Sequence, residues 1–363
     1  MKHIDPYRHP GLIKSLVSKL HETNIDGRSI AFMEVCGTHT MNIHRHGIRD
    51  VLPENIRMIS GPGCPVCVTP RTGIDNAVAY ARIPDTIVAS FGDMLRVPGS
   101  TSSLIDERSK GADVRVVYSP LDAVEIAKKN PGRKIVFLGI GFETTVPTVA
   151  MSIIKALDEN LKNYFVLPLG KLIPPAMDAL VSNPNLKIDG FLCPAHVSAI
   201  IGMKPYESVV AKGIPCVIAG FEPADILSGL IMLLSQVIEG RAEVENEYSR
   251  VVRYDGNPKA RGIIKTVFEP DDVEWYGLGT IPMSGLKIRD EYAELDASRA
   301  LPVDVEPTIP AHGCRCGDVL TGLIDPPDCP LFGKKCTPEM PFGACMVSSE
   351  GTCAAWFKYR TVS

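Results

Sequence analysis

The chain has no stretch long enough to span a membrane, no phosphate-binding loop and no surplus of one charge. Its most apolar run, Ile226 to Ile238, covers 13 residues and is broken by Ser228, Gly229, Ser235 and Gln236, whereas a bilayer requires ~20 apolar residues. The start, Met1-Lys2-His3-Ile4-Asp5, carries no apolar segment of the secretory-signal kind. The expectation is a cytoplasmic protein with no membrane partner. A formal net charge of −4 over 363 residues gives no reason to expect nucleic acid or anionic lipid. There is no Walker A motif. Gly139-Ile140-Gly141-Phe142-Glu143-Thr144 has two glycines of a dinucleotide fingerprint but threonine at the third position, so no nucleotide is inferred.

What the chain does have is cysteine: eleven, in an otherwise ordinary globular composition of 45% hydrophobic and 22% charged residues. In a reducing compartment such a number points to metal or redox chemistry rather than a disulfide framework. Three of them lie in two short glycine-rich pieces, Cys36-Gly37-Thr38-His39-Thr40 and Gly61-Pro62-Gly63-Cys64-Pro65-Val66-Cys67. Each piece follows an apolar, strand-like run, Ile30 to Val35 and Ile56 to Ile59, and the ends of parallel strands are where open α/β sheets place ligands. The Cys-x-x-Cys turn can form a disulfide, hold a soft metal or pass electrons.

The length predicts two or three domains. Residues 5–24 read as an amphipathic helix with the stripe Leu12, Ile13, Leu16, Val17 and Leu20, closed by the turn Asn24-Ile25-Asp26-Gly27. Strand-like runs follow at 29–35, 56–60, 86–91 and 114–118, and again, at similar offsets, at 134–139, 164–168, 188–192 and 215–219. Helical pattern fills the gaps, as at Pro120 to Lys129 and Pro147 to Leu161, which is the signature of parallel βαβ units. The expectation is an α/β protein: two similar parallel-sheet, Rossmann-like domains, residues 1–130 and 131–250, facing a central cleft. A small loop-rich C-terminal iron–sulfur segment, 251–363, completes it. The repeat matches Cys36–Thr40 with Gly141–Thr145, and Phe91-Gly92-Asp93 with Cys193-Pro194-Ala195-His196. Residues 223–248 read as a helix and 250–300 as charged and irregular, with surface acids at Asp271 and Asp272.

Six further cysteines, Cys314, Cys316, Cys329, Cys336, Cys345 and Cys353, fall within the 42 residues from His312 to Cys353. Their wide gaps lack the paired knuckles of structural zinc sites. An iron–sulfur cluster needs four thiolates from any converging positions, which leaves two over. Loops rich in proline and glycine suit a site whose bound metal supplies local stability.

At a helix N-terminus the Cys36 thiolate is favoured by unpaired N–H groups and the helix dipole, and His39, one turn on, can reach the same ligand. His196 and Glu143 stand at strand ends facing the expected cleft. His44 and His46, beside Arg45 and Arg49, read as solvated, and Cys193 and Cys216 as core residues.

These residues carry a resemblance. Met33 to Thr40, Gly61 to Pro70, Phe91 to Ser100, Gly141 to Thr145 and Pro194 to Gly202, with C-terminal cysteines spaced x14, x6 and x16, closely resemble the HypD family of hydrogenase maturation proteins across essentially the whole chain. The resemblance implies a metallocofactor-assembly scaffold with redox activity, working with HypC and HypE to build the Fe(CN)2CO unit destined, indirectly, for the hydrogenase large-subunit precursor. It implies a [4Fe–4S] cluster on Cys314, Cys329, Cys336 and Cys353, and a spare redox pair in Cys316 and Cys345. Cys36 and His39 would sit at a transient mononuclear iron carrying CN and CO, with Cys64 and Cys67 as a nearby dithiol. Some members carry a second histidine where this chain has Met41. The rival readings are a cluster-dependent thiol–disulfide reductase of a protein partner and a zinc-stabilised adaptor.

Overall fold

All eight apolar runs are strands. The computed structural model describes residues 4–23, 27–309 and 311–359. The strands are β1 (Ile30–Glu34), β2 (Ile56–Ser60), β3 (Thr86–Ser90), β4 (Asp113–Val116), β5 (Lys134–Gly141), β6 (Tyr164–Gly170), β7 (Gly190–Pro194), β8 (Cys216–Ala219), β9 (Val244–Asn246), β10 (Phe268–Trp275) and β11 (Gly279–Ile288). One parallel sheet has the order β2-β1-β7-β8-β9, a second the order β4-β3-β5-β6, and β10 and β11 form an antiparallel pair. The α/β class and the two parallel sheets are as expected.

Both faces of each sheet are covered, so the strands are almost continuously apolar and alternate residues enter different layers. Met33, Ile59, Val88, Val136, Phe165, Phe191 and Cys216 share one inner core that serves both sheets. Ile87, Phe137 and Tyr164 face an outer core under helices Pro120–Lys129 and Val146–Asp158. Phe32, Met58 and Val217 face another, under helices Pro10–Glu22 and Pro223–Glu239.

The strands are not shared out by sequence halves. β1 and β2 join β7, β8 and β9, while β3 to β6 form the other sheet, so sheet membership does not divide at residue 130. Strand spacing reports the βαβ period, which is the same whichever sheet a strand enters. Residues of 251–363 also enter the cores of both sheets. Val267, Phe268, Leu286 and Ile288 belong to the outer core of the second sheet, and Cys316 and Cys345 to the inner one.

Local differences follow the same logic. The first helix runs Pro10–Glu22 after a 3-10 turn, Asp5–Arg8; Leu20 is fully buried but Leu12 is exposed. Asn24, Ile25 and Asp26 of the expected turn lie outside the described residues. The helix read as 223–248 stops at Glu239, where Gly240 takes a left-handed conformation (φ 66°), and β9 follows. The stretch read as irregular holds helix Pro258–Val267 and the β10–β11 ribbon, whose solvent face accommodates its charges.

Strand order turns outward in both directions from β1/β7 and from β3/β5. Such reversals are the ligand-binding switch points of open parallel sheets. Cys36 follows β1, His196 follows β7, and Glu143 follows β5. The C-terminal segment closes over both reversals: Thr38 Oγ1 donates to Glu350 (2.8 Å) and Ser348 Oγ to Asp93 (2.9 Å).

Leu230, fully buried in the outer core of the first sheet, is expected on truncation (Leu230→Ala) to lose about 2–5 kcal/mol. Urea unfolding measures this; an unchanged midpoint would show that helix Pro223–Glu239 is not packed there.

Candidate metal and thiol centre at the strand ends

β1 ends in Glu34, and Cys36, in extended conformation, opens helix Gly37–Arg45. The second cysteine turn meets the first backbone to backbone. Gly61 N–H donates to Glu34 O and Gly37 N–H to Gly63 O, both at 2.8 Å. A Cβ on Gly63 would stand 2.0 Å from the Cys36 nitrogen, and one on Gly37 would stand 2.5 Å from the Cβ of Glu350. Three segments, 35–40, 61–67 and 343–351, are thus held at contact distance by positions that admit no side chain.

Burial governs the electrostatics. The Cys36 thiol is pushed up to about 12 by desolvation, with Glu350 and Glu34 adding to the rise; the N–H groups of His39 and Thr38 oppose it but do not prevail. The expected thiolate at the helix start is therefore corrected to a protonated thiol, because the dipole effect is smaller than the cost of burying charge. Glu34, fully buried, accepts the Cys36 N–H (2.9 Å) and the Thr40 hydroxyl, and burial raises its carboxyl to about 7.

His39 is the informative ligand candidate. Its Nε2 lies 3.1 and 2.8 Å from the carbonyl oxygens of Ala219 and Gly220. Two acceptors require that Nε2 carry the hydrogen, which leaves Nδ1 with a lone pair, buried and without a partner. Burial lowers the ring to about 4, so the imidazole is neutral at pH 7. A carbonyl-oriented neutral imidazole with its other nitrogen free is the usual state of a metal-ligating histidine. His196 is exposed and sits across Phe221, whose ring centroid is 4.1 Å from His196 and 4.8 Å from His39.

Cys64 caps helix Pro65–Val68, and Cys64 and Cys67 are joined as a disulfide with Cα atoms 5.2 Å apart. Both are buried, and Cys67 Sγ lies 3.9 Å from the carbonyl oxygen of Ala344, next to Cys345.

The C-terminal cysteines converge in part. Cys314 and Cys316 sulfurs are 3.3 Å apart. Cys316, Cys345 and Cys353 share thiol hydrogen bonds, and these draw Cys353 below its ordinary value. A Cβ on Gly343 would stand 2.7 Å from Cys316 Sγ and 2.8 Å from Cys314 Sγ, so this glycine makes room for sulfur. Cys336 accepts the Phe342 N–H at 3.4 Å. Cys329 sits in a tight loop whose Phe332 bridges to Cys336, and it is not drawn into the thiol contacts of the others. Among the described residues no three Cys, His, Asp or Glu side chains stand around one metal position; the thiols contact one another instead. Soft sulfurs near one another, nearby backbone N–H groups and loops rather than knuckles are consistent with a metal cluster.

Glu143 stands apart from the cysteines. One oxygen accepts the Ile173 N–H (3.0 Å), the other is buried without a partner, and the residue lines an apolar groove with Leu172, Pro174 and Pro175. Cys193 and Cys216 are fully buried, their thiols in contact across β7 and β8, as core residues. Two features escaped the sequence: Glu34, hidden in an apolar run, and His44, which is packed on Trp356 with ring centroids 5.1 Å apart rather than solvated. A carboxylate two residues before a cysteine was the available signal for the first.

The fold and site define a two-sheet parallel α/β protein with Cys36 and His39 at one switch point, an adjoining Cys-x-x-Cys and a cysteine-rich closing segment. Residues 11–360 match the family model described as HypD, hydrogenase formation hypA family. Hydrogenase maturation factor HypD2 of Bradyrhizobium diazoefficiens is 47% identical over 373 residues, covering 99% of this chain and 97% of that protein. The HypD factors of Azotobacter vinelandii (45% over 367 residues, 99% and 97%) and Escherichia coli (43% over 367 residues, 99% and 98%) are similar. The chain belongs to the HypD family of hydrogenase maturation factors.

Gly63→Ala is expected to destabilise the protein by ~1–3 kcal/mol or more through overpacking and to speed alkylation of Cys36. Gly132→Ala, with open space around the glycine, should change neither. Equal melting temperatures and labelling rates for both variants would contradict the backbone lock.

The Glu143 carboxyl, raised to about 7 by burial, keeps its proton in the folded chain while the unfolded chain releases it above about 4.5. Its contribution to stability is therefore lost as pH rises from about 4.5 to 7. Glu143→Gln should gain on the parent by roughly 3 kcal/mol across that window; a pH-independent difference in urea unfolding would refute the assignment.

Proposed function

We propose that this chain is an iron–sulfur scaffold on which, together with HypC, the Fe(CN)2CO unit of [NiFe] hydrogenase is assembled, with cyanide arriving through HypE. The observation that carries this reading is the continuity of sulfur-bearing segments. Cys36 touches the Gly63–Cys64 turn, Cys67 touches Ala344, and Cys345 joins Cys316 and Cys353. The mononuclear iron is cargo. Cys36 Sγ and the free Nδ1 of His39 are its ligands from this chain, a soft and a borderline donor suited to Fe(II). Because Cys36 is protonated in its buried site, iron binding releases that proton, and Glu34, bonded to the Cys36 N–H, fixes the turn that presents the sulfur.

Cys314, Cys329, Cys336 and Cys353 would hold a [4Fe–4S] cluster, and Cys316 and Cys345, already in thiol contact, would be the spare pair. Such a cluster supplies single electrons at low potential. The Cys64–Cys67 disulfide accepts two electrons and two protons to give two thiols beside Cys36. The rival reading, a reductase of a partner's disulfide, requires a sulfur open to attack; Cys64 is 3% and Cys67 0% exposed, which favours internal transfer. Among the described residues no helix is long and apolar enough to cross a membrane.

The test is the double variant Cys64→Ala, Cys67→Ala, purified anaerobically with HypC. It should retain iron–sulfur absorbance and lose the infrared CN and CO bands of the complex. Bands at parental intensity would sink the role assigned to this pair.

A further inference from the structure

Helix Gly37–Arg45, which carries His39, packs against helix Thr352–Tyr359, which carries Cys353. At their seam lies a cavity of about 180 Å³ lined by His44, Arg49 and Trp356, with the exposed Asp50 and the half-buried Tyr359 completing the wall. Nε2 of His44 and Nε1 of Trp356 are both buried there without a hydrogen-bond partner. The Arg49 guanidinium stands 4.4 Å from the centroid of the Trp356 ring.

These groups ask for an acceptor. An indole N–H and a guanidinium can only donate, and a buried donor left unpaired is destabilising. Charge points the same way. The ion-pair partner of Arg49 is Asp325, at 3.6 Å, and Asp325 is shared with Arg57 at 3.3 Å. Two cations face one carboxylate, so positive charge remains. Glu34, within Coulombic reach on the inner side, is engaged by the Cys36 N–H and the Thr40 hydroxyl instead. Asp50 is exposed to water, which screens it.

We propose that this pocket binds a small oxyanion, a carboxylate or a phosphate group, held by Arg49 and the Trp356 indole N–H with His44 Nε2 as the third polar contact. Bound there, the anion bridges the helix of the iron ligands and the helix of Cys353, and steadies the seam between the two centres.

The chain has two tryptophans, and Trp275 is fully buried with its N–H bonded to Ser284 (2.7 Å), so Trp356 is the one placed to report on the pocket. The full-length protein is titrated with potassium acetate and, separately, with inorganic phosphate, each against potassium chloride at matched ionic strength. A saturable change in tryptophan emission with at least one of the two is expected, and the effective anion identifies the source as carboxylate or phosphate. Arg49→Gln should weaken the apparent affinity at least tenfold. Trp356→Phe keeps the ring and removes the donor; it should abolish the anion-dependent rise in melting temperature that binding produces by mass action. The proposal is overturned if neither anion gives a saturable change beyond the chloride control, or if both variants keep the parental anion response.

Discussion

The structure depends on one contact that tolerates no side chain: Gly63 lying on the peptide between Val35 and Cys36. A Cβ there would stand 2.0 Å from the Cys36 nitrogen and 2.3 Å from the Val35 carbonyl carbon, well inside any permitted approach. The contact brings the end of β2 against the end of β1 at the sheet's switch point and so puts the Cys-x-x-Cys turn beside the Cys–His pair. Gly37 under Glu350, Gly343 under the Cys314 and Cys316 sulfurs, and Gly351 against the Cys345 carbonyl repeat the device toward the C-terminus. Chemistry that needs several sulfurs at contact distance in a buried place is thereby built from backbone, which is rigid, rather than from side chains, which lose conformational freedom on ordering.

Burial then sets the resting charge of the centre. The helix start and its N–H groups favour a Cys36 thiolate, yet desolvation dominates and leaves a thiol. The same cause keeps His39 neutral. A neutral thiol and a neutral imidazole cost less to bury than an ion pair, and Nδ1 of His39 keeps its lone pair unclaimed. On the proposed function, the charge would arrive with the metal and the proton would leave with its binding, a coupling set by the site's depth more than by any single neighbour.

Much of this was legible in the sequence. Eight apolar runs became eight parallel strands, and Pro120 to Lys129 is the helix its pattern implied, because buried parallel strands and amphipathic helices leave strong periodic marks. Pairing was not legible: β1 pairs on one side with β2 and on the other with β7 from the second sequence half, since long-range register depends on which faces bury each other. The β10–β11 ribbon was hidden by Pro270, Asp271 and Asp272, residues that only a solvated two-stranded ribbon accepts. His44 reads as solvated because a histidine followed by Arg45 and Arg49 looks exposed until Trp356, distant in sequence, covers it. Among the cysteines, the position of Cys36 and of the Cys64–Cys67 turn at strand ends followed from local pattern. The convergence of Cys316, Cys345 and Cys353 came from loops that carry no periodic signal.

The central claim is that the C-terminal sulfurs and the Cys64–Cys67 turn form one path for electrons toward Cys36. The most direct measurement is a stoichiometric anaerobic reduction by a protein-sized low-potential donor, quenched in denaturant with a mass-tagged alkylating agent. Cys64 and Cys67 should become labelled after two electron equivalents in the parent and stay disulfide-bonded in a Cys316→Ser, Cys345→Ser variant that retains its iron–sulfur absorbance. Equal labelling in both proteins would contradict the claim.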